Sequence, residues 1–121
     1  MQNSFFDRES YENDIDLETN EDVLKRIYDD GVNSNDKLPI EFFFLTDSET
    51  KAVTFRNRLE LSFPEYREIE ILDYKGDFEI SGQTNPIQIS LQSINEWNKA
   101  MWDFGYEFDC KLDGWQVGVT H

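Results

Sequence analysis

The stretch LPIEFFFLTDSET, residues 38–50, decides the fold because it changes from strand-like to helix-like sequence within a few positions. Six of its first eight residues are aromatic or aliphatic, and they follow a turn-rich segment, which is typical of a short strand. Phe42, Phe43 and Phe44 place apolar side chains on both faces, so the strand is expected to lie centrally in a sheet. Pro39 fits only at the beginning, because proline cannot donate to the ladder.

A helix is predicted directly after this strand. The residues from Thr46 to Glu49 match a capping box, with Thr46 as the N-cap and an acid three positions later. Pro64 marks the end of the helix. One apolar face is predicted for it, formed by Ala52, Val53, Phe55 and Leu59.

A hairpin is predicted next. Residues 66–74, YREIEILDY, alternate apolar and acidic side chains, which indicates a half-buried strand. The turn KGD at residues 75–77 leads into a partner strand that carries Phe78 and Ile80. The segment SGQTNP, residues 81–86, is interpreted as a turn.

The last third of the chain predicts a helix and a strand. The helix begins near Ser90 and is expected to end at Gly105. Its apolar stripe consists of Leu91, Ile94, Trp97, Met101 and Trp102. Residues 106–112 then alternate apolar and charged side chains, which indicates a strand with one wet face. A turn at Asp113-Gly114 and an apolar tail of Trp115, Val117 and Val119 are expected to follow.

Upstream, one further helix is predicted. Thr19 is suited to the N-cap, and Gly31 is suited to the position after the C-cap. The apolar face between them consists of Val23, Leu24, Ile27 and Tyr28.

The order is therefore one helix followed by β-α-β-β-α-β, which predicts an α+β fold. We expect a ferredoxin-like sandwich, an antiparallel four-stranded sheet with two helices on one face, plus an additional N-terminal helix. A chain of 121 residues has room for one core, assigned here to residues 17–121. Residues 1–16 are acidic, with a composition compatible with a flexible arm, and Phe5 and Phe6 are either loose or docked on the body.

The charge excludes several kinds of partner. Asp and Glu number 26 against 11 Lys and Arg, which gives a net charge of −15. Such a field repels phosphate backbones and anionic membranes, so neither nucleic acid nor a membrane is an expected partner. A basic protein surface is the expected partner. Neither a signal peptide nor a membrane-spanning stretch is recognisable, so a cytoplasmic location is expected.

No catalytic, metal or cofactor residue is predicted. His121 is the sole histidine and the last residue, and Cys110 is the sole cysteine, expected to be a buried apolar residue. No Gly-rich phosphate loop or calcium-binding loop occurs. An enzyme that uses two carboxylates stays open as an alternative from a different class.

Three segments resemble the RraB family of ribonuclease E regulators. They are the helix end DDG at residues 29–31, the strand-to-helix passage at residues 40–50, and the closing FGYEFDCKLDGW at residues 104–115. The resemblance spans roughly residues 17–117, whereas SGQTNPIQIS in the middle does not follow the family. It implies a single RraB-like domain that binds ribonuclease E outside its catalytic part and alters RNA cleavage, without catalysis or cofactor.

Candidate partner-binding residues lie on two segments, the first helix and the last strand: Asp22, Asp29, Asp30, Asp113 and Trp115. The acids suit a basic partner, and Trp is enriched at interface hot spots. Two alternatives stay open for these residues: the acids serve solubility alone, and Asp113-Gly114-Trp115 forms a tight turn with an indole that seals the core. For the whole chain, the alternative function is an immunity or antitoxin-type protein that neutralises a basic toxin nuclease.

Overall fold

A computed structural model describes residues 3–117. Along the chain lie α1 (Arg8–Asn13), α2 (Glu18–Asp29), β1 (Lys37–Leu38), β2 (Ile40–Thr46), α3 (Glu49–Ser62), β3 (Arg67–Tyr74), β4 (Asp77–Gln83), β5 (Ile87–Gln88), α4 (Leu91–Glu107) and β6 (Lys111–Val117). Four strands form one antiparallel sheet in the order β3-β4-β2-β6, and β1 pairs with β5 in a separate ribbon. The predicted α+β class is confirmed.

Strand β2 is the centre of the sheet, between β4 and β6, as its run of three phenylalanines predicted. Its residues alternate strictly, with Phe42 and Phe44 fully buried and Phe43 half-buried on the opposite face. Phe44 lies opposite Ile80 of β4 and Leu112 of β6, so all three side chains enter the same core. Burial of each such side chain contributes roughly 1.5–3 kcal/mol before entropy costs.

Helices α3 and α4 cover this inward face of the sheet. The predicted face of α3 is confirmed at Ala52, Phe55 and Leu59, each 0% exposed. The stripe of α4 is confirmed apart from Leu91, which is 39% exposed. Helix α2 packs against α4, and the opposite face of the sheet carries no helix among residues 3–117.

Two predicted N-caps are wrong. Thr46 belongs to β2, where it is buried and its hydroxyl donates to the backbone carbonyl of Asp109 at 2.8 Å. Helix α3 is capped by Ser48 instead. Thr19 lies inside α2, and its backbone N–H donates to the carboxylate of Asp16 at 3.1 Å. Gly31 follows the C-cap of α2 with a φ of +105°, as predicted, because glycine adopts this angle without strain.

The predicted helix end at Gly105 is also wrong, because α4 continues to Glu107. Gly105 is needed for a close approach: a Cβ atom there would lie 2.2 Å from the carbonyl oxygen of Cys110. The chain reverses over residues 108–110 and starts β6 only at Lys111, five residues later than predicted. Apolar alternation at residues 106–112 therefore reflected a helix end and a turn, which periodicity alone could not separate from a strand.

Strand boundaries differ in two further places. Asp113-Gly114 lies within β6, where the register against β2 shifts between Phe43 and Phe44, so this segment is a bulge and not a turn. The predicted turn at residues 81–86 is shorter, because β4 extends to Gln83. The β3–β4 hairpin is confirmed, and its turn at Lys75-Gly76 has φ angles of 51° and 94°, as two-residue hairpin turns require. Val119 lies outside the described residues.

The described part of the N-terminal arm is docked on the body. Phe6 is 0% exposed, and its ring packs edge-on against Trp102 at 4.7 Å between centroids. The carboxylate of Asp109 accepts hydrogen bonds from the backbone N–H groups of Ser4, Phe5 and Phe6, at 3.0, 3.1 and 2.5 Å. Of the two alternatives for Phe5 and Phe6, the docked one is observed.

Candidate protein-binding site

A cleft of about 320 Å³ lies between the start of α2, the middle of α4 and the edge strand β6. We call it the Trp115 cleft, after the residue at its β6 wall. Its lining combines carboxylates, amides and apolar side chains, from Asp14, Asp16, Thr19, Asn20, Val23, Asn98, Trp102, Lys111, Leu112, Asp113, Gly114 and Trp115. It contains two of the five residues predicted to bind a partner.

Amide side chains hold the Trp115 indole in place. Its Nε1–H donates to Oδ1 of Asn20 at 2.9 Å. The Asn20 amide nitrogen in turn donates to Asn95 at 2.9 Å and to Asn98 at 3.1 Å, both on α4. Asn20 is only 2% exposed, so these bonds satisfy polar groups that would be costly to leave unpaired. The indole is consequently both half-buried and fixed in orientation, with part of its surface open to the cleft.

Three carboxylates lie around the cleft. Asp14 pairs with Lys111 at 2.9 Å, and this hydrogen bond lowers the pKa of Asp14. The Thr19 hydroxyl and amide donate to Asp16 and lower its pKa. Asp113 is exposed on the bulge of β6. The rim of the cleft is thus negatively charged at neutral pH, apart from the one ammonium of Lys111.

The other predicted binding residues lie along α2. Asp22 is exposed and adjacent to Val23, which lines the cleft. Asp29 and Asp30 are exposed at the C-terminal end of the helix, about 10 Å further along at 1.5 Å per residue. The five residues therefore form one group at the cleft and a second group at the helix end, and their role in binding stays a prediction.

Two arrangements were not predicted from the sequence. One is the group of buried amides behind Trp115; Asn95 and Asn98 lie three residues apart on an otherwise apolar helix face, a weak signal that could have indicated it. The other is the contact of Asp109 with Lys51, whose Nζ lies 2.5 Å from the carboxylate. These residues are far apart in sequence, and no local pattern connects them.

The buried Cys110 thiol is poorly suited to nucleophilic catalysis. Burial raises the pKa of the Cys110 thiol to about 12, so it stays protonated at neutral pH and is a weak nucleophile. Burial also tends to raise the pKa of Asp109, but hydrogen bonds from Lys51 and from the N-terminal amides outweigh it and the pKa is lowered. Over residues 3–117, no three His, Cys, Asp or Glu side chains lie close enough together to hold a metal ion. His121 lies outside the described residues.

Within the described range, none of the helices combines the length and apolarity needed to cross a bilayer.

The family model described as RraB, regulator of ribonuclease activity B, matches residues 17–117. A search of curated proteins finds none that matches. The matched range begins one residue before α2 and ends with the last residue of β6, so it contains the whole sheet, both covering helices and most of the Trp115 cleft. Because the match covers most of the chain, this protein belongs to the RraB family, regulators of ribonuclease activity.

Proposed function

We propose that the chain is a non-catalytic regulator that binds ribonuclease E, or a related ribonuclease or degradosome component, and inhibits or modulates RNA cleavage. The observation that carries this proposal is the family match over residues 17–117. The unit that performs this role is proposed to be one domain, residues 17–121, acting in the cytoplasm.

The proposed fold within the family is the ferredoxin-like sandwich. It is supported by the strand order, in which β4 lies between β2 and β3, and β2 lies between β4 and β6. The strands of the unit β2-α3-β3 have β4 between them, and the strands of the unit β4-α4-β6 have β2 between them. This is the split βαβ arrangement. Both crossover helices lie on the face to which Phe44 points, because its ring packs against Phe55 of α3 at 4.6 Å between centroids and lies beside Gly105 of α4.

The proposed contact surface for the ribonuclease is the rim of the Trp115 cleft together with the exposed face of α2. Asp22, Asp29, Asp30 and Asp113 would face basic side chains of the partner, and Trp115 would supply apolar contact. The fixed orientation of the indole favours binding, because little side-chain entropy is lost when a partner packs against it. A net charge of −15 disfavours direct RNA contact, so regulation would occur by competition with RNA for a basic segment of the enzyme.

The test is a direct binding and cleavage assay with purified ribonuclease E from the same organism. We expect the chain to co-purify with the enzyme at low salt and to change its rate of cleavage of a fluorogenic RNA. Asp113→Lys is expected to weaken binding, whereas Glu107→Lys, at the exposed end of α4, serves as a charge-matched control. Absence of binding at low salt would overturn the proposal.

A second candidate function is favoured by the acidity alone. An immunity protein would use the same charge to bind and neutralise a basic toxin nuclease. Capture experiments from the native lysate distinguish the two functions. Recovery of a toxin nuclease without ribonuclease E would favour the immunity function, and recovery of ribonuclease E would favour the regulator.

A further inference from the structure

The face of the sheet opposite α3 and α4, which we call the open face, carries no helix among residues 3–117. Strand register determines which side chains point outward there, because paired residues of antiparallel strands share a face. From β2, β3 and β4 these are Glu41, Phe43, Leu45, Arg67, Glu70, Leu72, Tyr74, Asp77, Glu79, Ser81 and Gln83. The open face is therefore a mixture of apolar and acidic side chains, with one cation, Arg67, at the start of the edge strand β3.

Its apolar side chains are unusually accessible. Leu72 is 50% exposed and Tyr74 is 41% exposed, and they belong to the four most exposed large hydrophobic residues of the described chain. Phe43 and Leu45 are half-buried on the central strand β2, which β4 separates from β3. Leu45 and Leu72 are both opposite Glu79, so they lie two strand spacings apart, roughly 10 Å. Exposed apolar groups at this spacing, rimmed by charge, are typical of an interaction surface.

A shallow depression of about 250 Å³ lies in this face beside Phe43. It lies over the small side chain of Ser81 on β4, while longer side chains stand around it. Three of the surrounding side chains are carboxylates: Glu41, Glu68 and Glu70.

The carboxylates of the open face are not neutralised within the described chain. Within the described range, residues 3–117, no ion pair involves the three glutamates at the depression or Glu79. Glu41 accepts a hydrogen bond from the Gln116 amide at 2.8 Å, which leaves its charge uncompensated. The face thus combines accessible apolar area with negative charge that has no internal partner.

Building on the proposed function, we propose that the open face docks a basic amphipathic segment of a protein partner, in which Arg or Lys alternates with apolar residues. The basic groups lie against Glu41, Glu70 and Glu79, and the apolar groups pack on Leu45 and Leu72. An Arg at the depression contacts the Phe43 ring as well as the carboxylates, which adds cation–π attraction. This surface is separate from the Trp115 cleft.

Charge complementarity selects this occupant over others. A second copy of the chain would bring carboxylates against carboxylates, since both partners would present the same acidic face. A nucleic acid would bring phosphates against the same groups. A neutral apolar segment would fill the leucine positions but leave Glu70 and Glu79 partly desolvated without compensation. Only a cationic amphipathic segment satisfies both parts of the face.

The test uses the intact, isotope-labelled chain and a short synthetic peptide that alternates arginine and leucine. We expect amide NMR shifts to change in β2, β3 and β4. Leu72→Thr and Glu70→Lys should each weaken affinity about tenfold, because each removes a contact at the centre of the surface. Matched controls are Leu61→Gln on α3, where the leucine is 73% exposed, and Glu107→Lys on α4; both should change affinity less than about twofold.

Two results would overturn the inference: shifts centred on the Trp115 cleft or spread evenly over the acidic surface, or equal weakening by the test and control variants. Circular dichroism of each variant separates loss of binding from loss of folding. The peptide result is independent of the ribonuclease, so failure of ribonuclease E to bind would count against the proposed function alone. If ribonuclease E binds wild type and Leu72→Thr equally, the open face is not its docking surface.

Discussion

Asp109 connects three separate parts of the molecule, two through its buried carboxylate and one through its backbone carbonyl. The residue is 4% exposed and has a positive φ of 57°, which costs a non-glycine residue some backbone strain. Its carboxylate accepts N–H groups from residues 4–6 and a hydrogen bond from Lys51 of α3, while its carbonyl accepts from Thr46 of β2. These charge-assisted bonds compensate for the cost of burial.

Replacing Asp109 with Asn is expected to destabilise the protein by about 2–3 kcal/mol at pH 7, because charge-assisted hydrogen bonds are lost and a buried N–H₂ faces other donors. Urea unfolding followed by tryptophan fluorescence measures the change. Asp113→Asn, on the exposed bulge, is the matched control and should stay within about 0.5 kcal/mol of wild type. An equal effect of the two substitutions would contradict the role given to Asp109.

The difference in stability between wild type and Asp109→Asn should depend on pH in a defined way. The native pKa of Asp109 is lowered from its unfolded value of about 3.9. Its stabilisation is therefore complete above that value and is lost as the pH falls through the native pKa. The difference between wild type and Asp109→Asn should be constant above about pH 5 and shrink toward about pH 2. A difference that grows on acidification would exclude this explanation.

The change in stability on Gly105→Ala distinguishes packing from helix propensity, because the two effects predict opposite signs. Alanine inside a helix is normally favoured over glycine by about 1 kcal/mol. At this position the added Cβ would meet the carbonyl oxygen of Cys110 at 2.2 Å, so Gly105→Ala should destabilise by at least about 2 kcal/mol. Gly114→Ala, with nothing within 4 Å of its added Cβ, should be neutral within about 0.5 kcal/mol. Thermal unfolding of both variants tests the pair, and a stabilised Gly105→Ala would refute it.

At the scale of elements, the N-terminal segment precedes the family match yet contributes to the core. Phe6 fills a site formed by aromatic residues, and Trp102 of α4 donates its indole N–H to the carbonyl of Tyr11 at 2.9 Å. The segment also supplies Asp14, which pairs with Lys111 of β6. It thus covers one end of α4 and forms part of the wall of the Trp115 cleft.

Removing residues 1–16 is therefore expected to lower the free energy of unfolding by about 3–5 kcal/mol, a range set by the loss of one buried phenylalanine. Because Trp102 is only 4% exposed in the intact chain, its emission should shift to longer wavelength in the truncated protein. Phe6→Ala should reproduce most of the stability loss, whereas Glu9→Ala on the exposed side of α1 should not. A truncated protein with unchanged stability would show that the segment is dispensable.

Sequence patterns predicted the order of the main elements because each has a local signal. The three phenylalanines of β2 and the alternation in β3 depend only on neighbouring residues. The end of α4 was misplaced because Gly105 serves a contact with Cys110 five residues away, which has the same sequence appearance as a helix stop. The Asp109–Lys51 contact joins residues 58 positions apart, so no local rule could have indicated it. For the Asn20 contacts, the spacing of Asn95 and Asn98 is a weak local signal. Of the candidate site, the sequence identified Asp113 and Trp115 as a pair but not the amides that fix the indole.

At the scale of the whole molecule, the charge of −15 is spread over the described surface. Each of the ion pairs found in residues 3–117 uses one of the few basic side chains, so most carboxylates have no opposite charge beside them. Unpaired surface charges contribute little to stability, but their summed field extends about 10 Å at 0.1 M ionic strength. That field acts on the approach of a partner more than on the contacts made after docking.

Salt should consequently weaken binding to the ribonuclease mainly by lowering the association rate constant. Between about 50 and 500 mM salt, we expect the association rate constant to fall about tenfold or more, while the dissociation rate constant changes less than about threefold. Surface plasmon resonance or stopped-flow fluorescence separates the two constants. Neutralising acids far from both proposed surfaces, as in Glu60→Gln with Glu96→Gln, should reduce the salt slope modestly without changing dissociation, since a long-range field does not require contact. If salt changed mainly the dissociation rate constant, the acids would be making short-range contacts in the complex, which would contradict the steering role proposed for them.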